Sequence, residues 1–255
     1  AGEVESIGDN EVADKAMRMI AGELSQVTLG NSHGCVERKD GRVQCFGLAE
    51  DGALGEGSVG GEYLIGDALP SSLDRLALGK SFACGMNATA EVACWGSNPS
   101  GQLGGAQGNV VNLADAEPIN LHEEVRKLAA GLHHVCALFA DQSMLCWGDG
   151  KYGVLGQESV RDLGTADGLS LQIEDLIALE GVVDIAAGED ATCALLEDGD
   201  ITCWGRQWTQ RDVDSGILGT GAKCDQLGAA PPCAYGDEVG ESVGADSFRF
   251  RFQWQ

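Results

Sequence analysis

The feature that most constrains this chain is a spacing. Two cysteines stand ten positions apart with an aromatic residue and a glycine directly after the second, and the arrangement occurs four times. The copies run Gly30, Cys35, Cys45, Phe46, Gly47, Leu54-Gly55; Gly79, Cys84, Cys94, Trp95, Gly96, Leu103-Gly104; and Gly131, Cys136, Cys146, Trp147, Gly148, Leu155-Gly156. The fourth runs Gly188, Cys193, Cys203, Trp204, Gly205 and, after six inserted residues, Leu218-Gly219. First cysteines lie 49, 52 and 57 residues apart. A period near 50 means stacked or circular modules, each too small to bury its faces alone.

Within a copy the residues specify an antiparallel hairpin. "CALLEDGDITCWG" sets Cys193, Leu195, Ile201 and Cys203 around Asp198-Gly199, and "CVERKDGRVQCFG" repeats this around Asp40-Gly41. The second and third copies have Thr89-Ala90 and Asp141-Gln142 at that place, where the turn chemistry is degenerate. A hairpin brings its two cysteines opposite one another, within reach of a disulfide. Reduced, buried thiols are the alternative. Ten cysteines in matched pairs favour bridges: Cys35 with Cys45, Cys84 with Cys94, Cys136 with Cys146, Cys193 with Cys203, and Cys224 with Cys233 in "CDQLGAAPPC". Bridges imply an oxidising, extracytoplasmic compartment: secreted, periplasmic or an organelle lumen. Zinc is a weaker reading, because no cysteine pair has the two-to-four-residue spacing of a structural site.

These residues resemble the repeats of the regulator of chromosome condensation, whose signature is similar to "AAGxxHxCALxxDGxxxCWGxxxxGQLG". "LALGKSFACGMNATAEVACWGSNPSGQLG" and "IAAGEDATCALLEDGDITCWG" carry the likeness, which covers about residues 26 to 219. The resemblance implies an all-β fold, a β-propeller of four-stranded antiparallel blades, usually seven in the family. Four repeats are legible here. That leaves open a fifth blade built from both chain ends, or an open ring completed by a partner. The expected organisation is an arm at 1–25 able to form a short helix, repeats at 26–74, 75–126, 127–181 and 182–222, and a disulfide-clipped loop with an aromatic strand at 223–255.

Composition narrows the function. Sixteen Lys and Arg against forty Asp and Glu leave a formal charge of −24, which repels nucleic-acid phosphates. No window reaches the roughly 18 apolar residues of a membrane span. We therefore expect no nucleic-acid partner and no direct membrane insertion, though a membrane complex fits as partner. The founding family member binds nucleosomes and exchanges nucleotide on the small GTPase Ran. This acidic chain has no basic arm for the first role, and no loop can be assigned to the second. Other relatives serve as β-lactamase inhibitors, receptor-like ectodomains or scaffold segments, and what they share is protein binding.

Enzymatic signals are weak. His33 and His134 sit three residues after the repeat glycine, where other copies have Phe82 and Ala191, so the position reads as structural. Asp184, Glu189, Asp190, Glu197, Asp198 and Asp200 crowd the fourth copy without the alternation of a calcium loop. Neither a cofactor nor a metal is expected. Trp95, Trp147 and Trp204 read as packing between blades, which leaves Trp208, in the insertion "RQWTQRDVDSG", as the aromatic freest to recognise a partner. Asn87-Ala88-Thr89 is a lone glycosylation sequon at a hairpin tip.

Both ends are patterned. Val12, Met17, Ile20 and Leu24 fall at helical intervals after Asp9 or Asn10. "SFRFRFQWQ" alternates, with Phe248, Phe250, Phe252 and Trp254 on one side, and must complete a blade or pair with another protein. Two classes of function remain. The first is a non-catalytic interaction propeller, a binding module or accessory subunit docking through Trp208 or the C-terminal aromatics. The second is a secreted hydrolase or lyase with an active site in inter-blade loops.

Overall fold

The computed structural model describes residues 24–55, 63–69, 73–105, 108, 110–157, 159–165, 171 and 176–206, with short strands at 209–210, 213–214, 234–235 and 249–251. Each repeat becomes one antiparallel sheet. The first contains β1 (Leu24–Leu29), β2 (His33–Arg38), β3 (Val43–Leu48) and β4 (Tyr63–Leu69), hydrogen-bonded in that order. The second contains β5 (Asp74–Leu78), β6 (Phe82–Met86), β7 (Val92–Ser97) and β8 (Val110–Val111). The third is β9 (Val125–Ala130), β10 (His134–Phe139) and β11 (Met144–Gly148). In the fourth, β12 (Val182–Ala187), β13 (Ala191–Leu196) and β14 (Asp200–Arg206) are joined by later strands at the outer edge. The first strands β1, β5, β9 and β12 neighbour one another in sequence, so the sheets are successive blades of a β-propeller.

Each cysteine pair occupies directly opposed positions of its hairpin and is bridged, with Cα atoms 4.0 to 4.1 Å apart. Arg38 N–H donates to the Arg42 carbonyl at 2.8 Å, three residues beyond the Cys35–Cys45 pair, which places the cysteines at a non-hydrogen-bonded site, where strands approach most closely. Cys224 and Cys233 lie outside the described residues, as do residues 1–23 of the arm expected at 1–25, while Leu24 and Ser25 belong to β1.

Among the described residues the third blade has three strands against the expected four. After β11 the chain makes a 3₁₀ turn at Lys151–Gly153, and Leu163 forms an isolated antiparallel bridge with Gly148. The chain then leaves to cross the seam, where Gly105 donates to the Gly164 carbonyl at 2.8 Å. β15 (Thr209–Gln210) and β16 (Val213–Asp214) pair with each other in a separate two-stranded sheet. Two further strands, β17 (Ala234–Tyr235) and β18 (Arg249–Arg251), share β14: Tyr235 opposes Gly205, and Phe250 opposes Ile201. The C-terminal strand thus completes its own fourth blade rather than the first.

The core sits in the seams. Trp95, Trp147 and Trp204 are each fully buried. The glycine after each aromatic has φ between +100° and +117°, and a Cβ there would lie 2.4 to 2.7 Å from backbone of the preceding inner turn. That closeness accounts for the recurrent Trp-Gly step. The repeat glycine has a different reason: a Cβ on Gly131 would come within 2.1 Å of the His134 ring, and one on Gly79 within 2.0 Å of Phe82.

Candidate interaction surfaces

The seams tie the blades rigidly, and this decides which groups are left for recognition. The indole N–H of Trp95 donates to the Ala53 carbonyl at 3.1 Å, that of Trp147 to Gln102 at 3.0 Å, and that of Trp204 to Val154 at 2.9 Å. In every case the acceptor directly precedes the Leu-Gly of the previous repeat. A second set of bonds runs the other way along the inner turns: Asn31 N–H to the Gly79 carbonyl, Lys80 to Leu132, and Leu132 to Glu189. The repeat tryptophans are therefore consumed by packing, as their position implied.

His134 shares this role. Its Nε2 lies 3.0 Å from the Thr192 hydroxyl, which donates to the Val154 carbonyl. A hydroxyl has one proton, so the imidazole must supply the proton of the other bond and is neutral with Nε2 protonated. Complete burial lowers its pKa to about 4. His33 occupies the same place two seams earlier, but Ala83 stands where Thr192 would, and neither ring nitrogen has a hydrogen-bond partner. Its pKa also falls to about 4, through burial opposed by the Lys80 backbone.

Two concavities lined by described residues lie on opposite faces. On the face made by inner turns and outer loops, a cleft of about 240 Å³ opens at the third seam, lined by His133, Asp149, Lys151, Tyr152, Asp190 and Arg206 among others. The Arg206 guanidinium lies 4.5 Å from the Tyr152 ring centroid and pairs with Asp190 at 3.2 Å. Lys151 pairs with Asp149 at 3.1 Å. His133 is half-buried, and its pKa is lowered by burial first and by the charge of Lys80 second. Tyr152 has φ of 58°, a left-handed conformation held by the turn that presents its ring to Arg206. Sequence reasoning missed this cleft, because its walls come from residues separated by more than fifty positions. The only signal was the insertion that starts right after Arg206.

On the hairpin-tip face a broader concavity of about 500 Å³ is lined by Thr89, Ala90, Ile119, Glu91, Glu123 and Glu124 among others. Here Asn87 Oδ1 accepts from the Thr89 and Glu91 amides at 2.9 and 3.0 Å, and its amide donates to Glu91 at 2.7 Å, so the sequon forms a closed local turn. Among the described residues, no group of three or more His, Cys, Asp or Glu converges in metal-binding geometry.

Of the residues expected to bind a partner, Phe250 lies in β18, opposite Ile201. Trp208, Phe248, Phe252 and Trp254 lie outside the described residues.

Residues 125–154 and 182–207 match the family described as Regulator of chromosome condensation (RCC1) repeat. The chain is 31% identical over 212 residues to the Ultraviolet-B receptor UVR8 of Arabidopsis thaliana, covering 79% of this chain and 44% of that protein. It is 27% identical over 208 residues to the RCC1 domain-containing protein RUG3, mitochondrial, of the same plant, covering 77% of this chain and 44% of that protein. The crystal structure of human WBSCR16 superposes with a TM-score of 0.65 at 19% identity, over 90% of this chain and 53% of that one. The chain spans about half the length of these relatives.

Proposed function

We propose, because the chain belongs to the regulator of chromosome condensation repeat family, that it is a non-catalytic interaction propeller: an extracytoplasmic binding module or accessory subunit. The cleft at the third seam is its docking surface. The observation that carries this reading is the Arg206–Tyr152–Asp190 cluster, in which a stacked and paired guanidinium forms the wall of an open concavity. Such a preorganised, partly apolar wall recognises a polypeptide at low entropic cost. The charged groups around it are matched with one another, an arrangement suited to binding rather than proton transfer.

The insertion bearing Trp208 leaves β14 directly after Arg206, so this aromatic follows a cleft residue by two positions in the chain. A name among the relatives, Ultraviolet-B receptor, denotes a receptor, in keeping with a signalling or recognition role. The four bridged cysteine pairs support an oxidising compartment.

The test compares the intact chain with Arg206→Ala and Trp208→Ala as affinity baits in extracts of the source, with bound proteins quantified by mass spectrometry. A partner recovered by the native chain and lost with both variants supports the cleft. Equal recovery by all three rules it out, and Phe250→Asp with Phe252→Asp then tests the C-terminal route.

A further inference from the structure

The tip of the β6–β7 hairpin is closed differently from the other three. In the first, third and fourth blades an aspartate closes it: Oδ1 of Asp40, Asp141 and Asp198 accepts from the amide two residues on, at 3.1, 3.0 and 3.0 Å respectively. The second blade has Thr89 at this place. Its turn is closed by Asn87 instead, whose Oδ1 accepts from the amides of Thr89 and Glu91 at 2.9 and 3.0 Å and lies 2.7 Å from the Thr89 hydroxyl. A single aspartate at position 89 would close the turn as it does in the other copies, so the turn by itself does not require the Asn–Thr pair. What the pair adds is a carboxamide nitrogen inside Asn87-Ala88-Thr89, an acceptor sequon for N-linked sugar.

That nitrogen is placed for modification. Ala88 and Thr89 are exposed at the tip and Asn87 is half-buried at its base. Nδ2 carries two hydrogens, and it donates to the Glu91 carboxylate at 2.7 Å. An N-linked sugar replaces one hydrogen and leaves the other for Glu91, while the bonds to Oδ1 are untouched. The folded turn therefore accepts the sugar without giving up a hydrogen bond. The bridged cysteine pairs point the same way from an independent direction, since sugars of this kind are added in a lumen where disulfides form.

We propose, resting on the oxidising compartment of the proposed function, that Asn87 is a site of N-linked glycosylation. The co-substrate is an oligosaccharide joined to a polyprenyl pyrophosphate. Asn87 Nδ2 attacks its anomeric carbon: the N–C bond forms, the C–O bond to pyrophosphate breaks, and the polyprenyl pyrophosphate leaves with the bonding pair. The displaced amide proton passes to a base of the transferase, and nothing is oxidised or reduced. Thr89, Ala90 and Glu91 line the hairpin-tip concavity, so the sugar rises from its rim and covers that face. Docking is left to the opposite face, which bears the cleft of Tyr152 and Arg206.

The experiment isolates the protein from its source with thiols blocked at lysis, and maps its peptides by mass spectrometry before and after enzymatic release of N-linked sugars in heavy-oxygen water. The expected result is a sugar-bearing Asn87 peptide that release converts to an aspartate carrying the heavy isotope. In parallel, the native chain and its variants are secreted from cultured eukaryotic cells. Thr89→Asp, which copies Asp40, keeps a turn-closing side chain and still unfolds cooperatively, yet loses the slowed gel mobility of the native chain; Asn87→Gln loses it too, and Thr89→Ser retains it. An Asn87 peptide found only unmodified in the source protein, with the repeat cysteines bridged, overturns the glycan and leaves the compartment standing. The same peptide with free repeat thiols overturns both. Sugar retained by Thr89→Asp overturns the assignment to Asn87.

Discussion

The Trp147 indole donates to the Gln102 carbonyl at 3.0 Å, from a side chain and to a residue that are both essentially inaccessible to water. Replacing Trp147 by Phe removes the donor, leaves a buried carbonyl unpaired and opens space at the seam. We expect a loss of about 2 to 4 kcal/mol, measured by denaturant unfolding under oxidising conditions. Phe46→Trp should bring no comparable gain, because the described structure presents no acceptor to it.

Acid should unfold the protein through its two buried imidazoles. Both His33 and His134 have pKa values lowered to about 4, below the ordinary 6.5. The unfolded chain therefore binds more protons than the folded one between these limits. Stability is full above pH 6.5, falls as pH drops towards 4 and levels off below, by up to about 3 kcal/mol per histidine. His33→Phe, which copies the residue at Phe82, should remove roughly half of that acid loss and raise stability at neutral pH. A midpoint-against-pH series from 4 to 7.5 reads both effects.

The hairpin tips differ in strain. Gly41 and Gly199 have φ of 82° and 83°, and the equivalent Ala90 and Gln142 have 62° and 69°. A side chain in this region costs about 1 kcal/mol. Ala90→Gly should stabilise the protein by roughly that amount, and Gly199→Ala should destabilise it similarly. Thermal unfolding of the two variants side by side checks the sign.

The bridges should open in a fixed order. Cys136 and Cys146 are fully buried, as are Cys35 and Cys45, whereas Cys193 is partly exposed and Cys203 is 7% exposed. Under rising reductant the Cys193–Cys203 bridge should be the first to take up an alkylating label. Removing the Cys136–Cys146 pair by double Ser substitution should cost about 2 to 3 kcal/mol.

What the sequence made legible was what it repeats. The cysteine ladder, the seam tryptophans and the need for glycine after them recur at fixed offsets, so each copy vouched for the others. The rest depends on pairs of residues in different copies. His33 and His134 look alike within a repeat, and they diverge because one faces Ala83 and the other Thr192 in the next blade. The cleft likewise joins Tyr152 to Asp190 and Arg206, a juxtaposition that only blade stacking creates. Period-two alternation identified the C-terminal strand, but pairing with β14 rather than the first blade follows from tertiary geometry. Thr89-Ala90 hid a turn as regular as the Asp-Gly ones, because the Asn87 side chain supplies the hydrogen bonds there.

The seam bonds have a direction: a tryptophan donates to the blade before it, and an inner-turn amide donates to the blade after it. Every internal seam therefore has the same polarity and asks the same of its two sides, whichever copies happen to meet. A duplication or loss of one whole unit would leave all remaining seams intact, so the array can lengthen or shorten by genetic steps of about fifty codons without renegotiating its core. The blade count is thus free to drift, while the residues at each junction are held fixed.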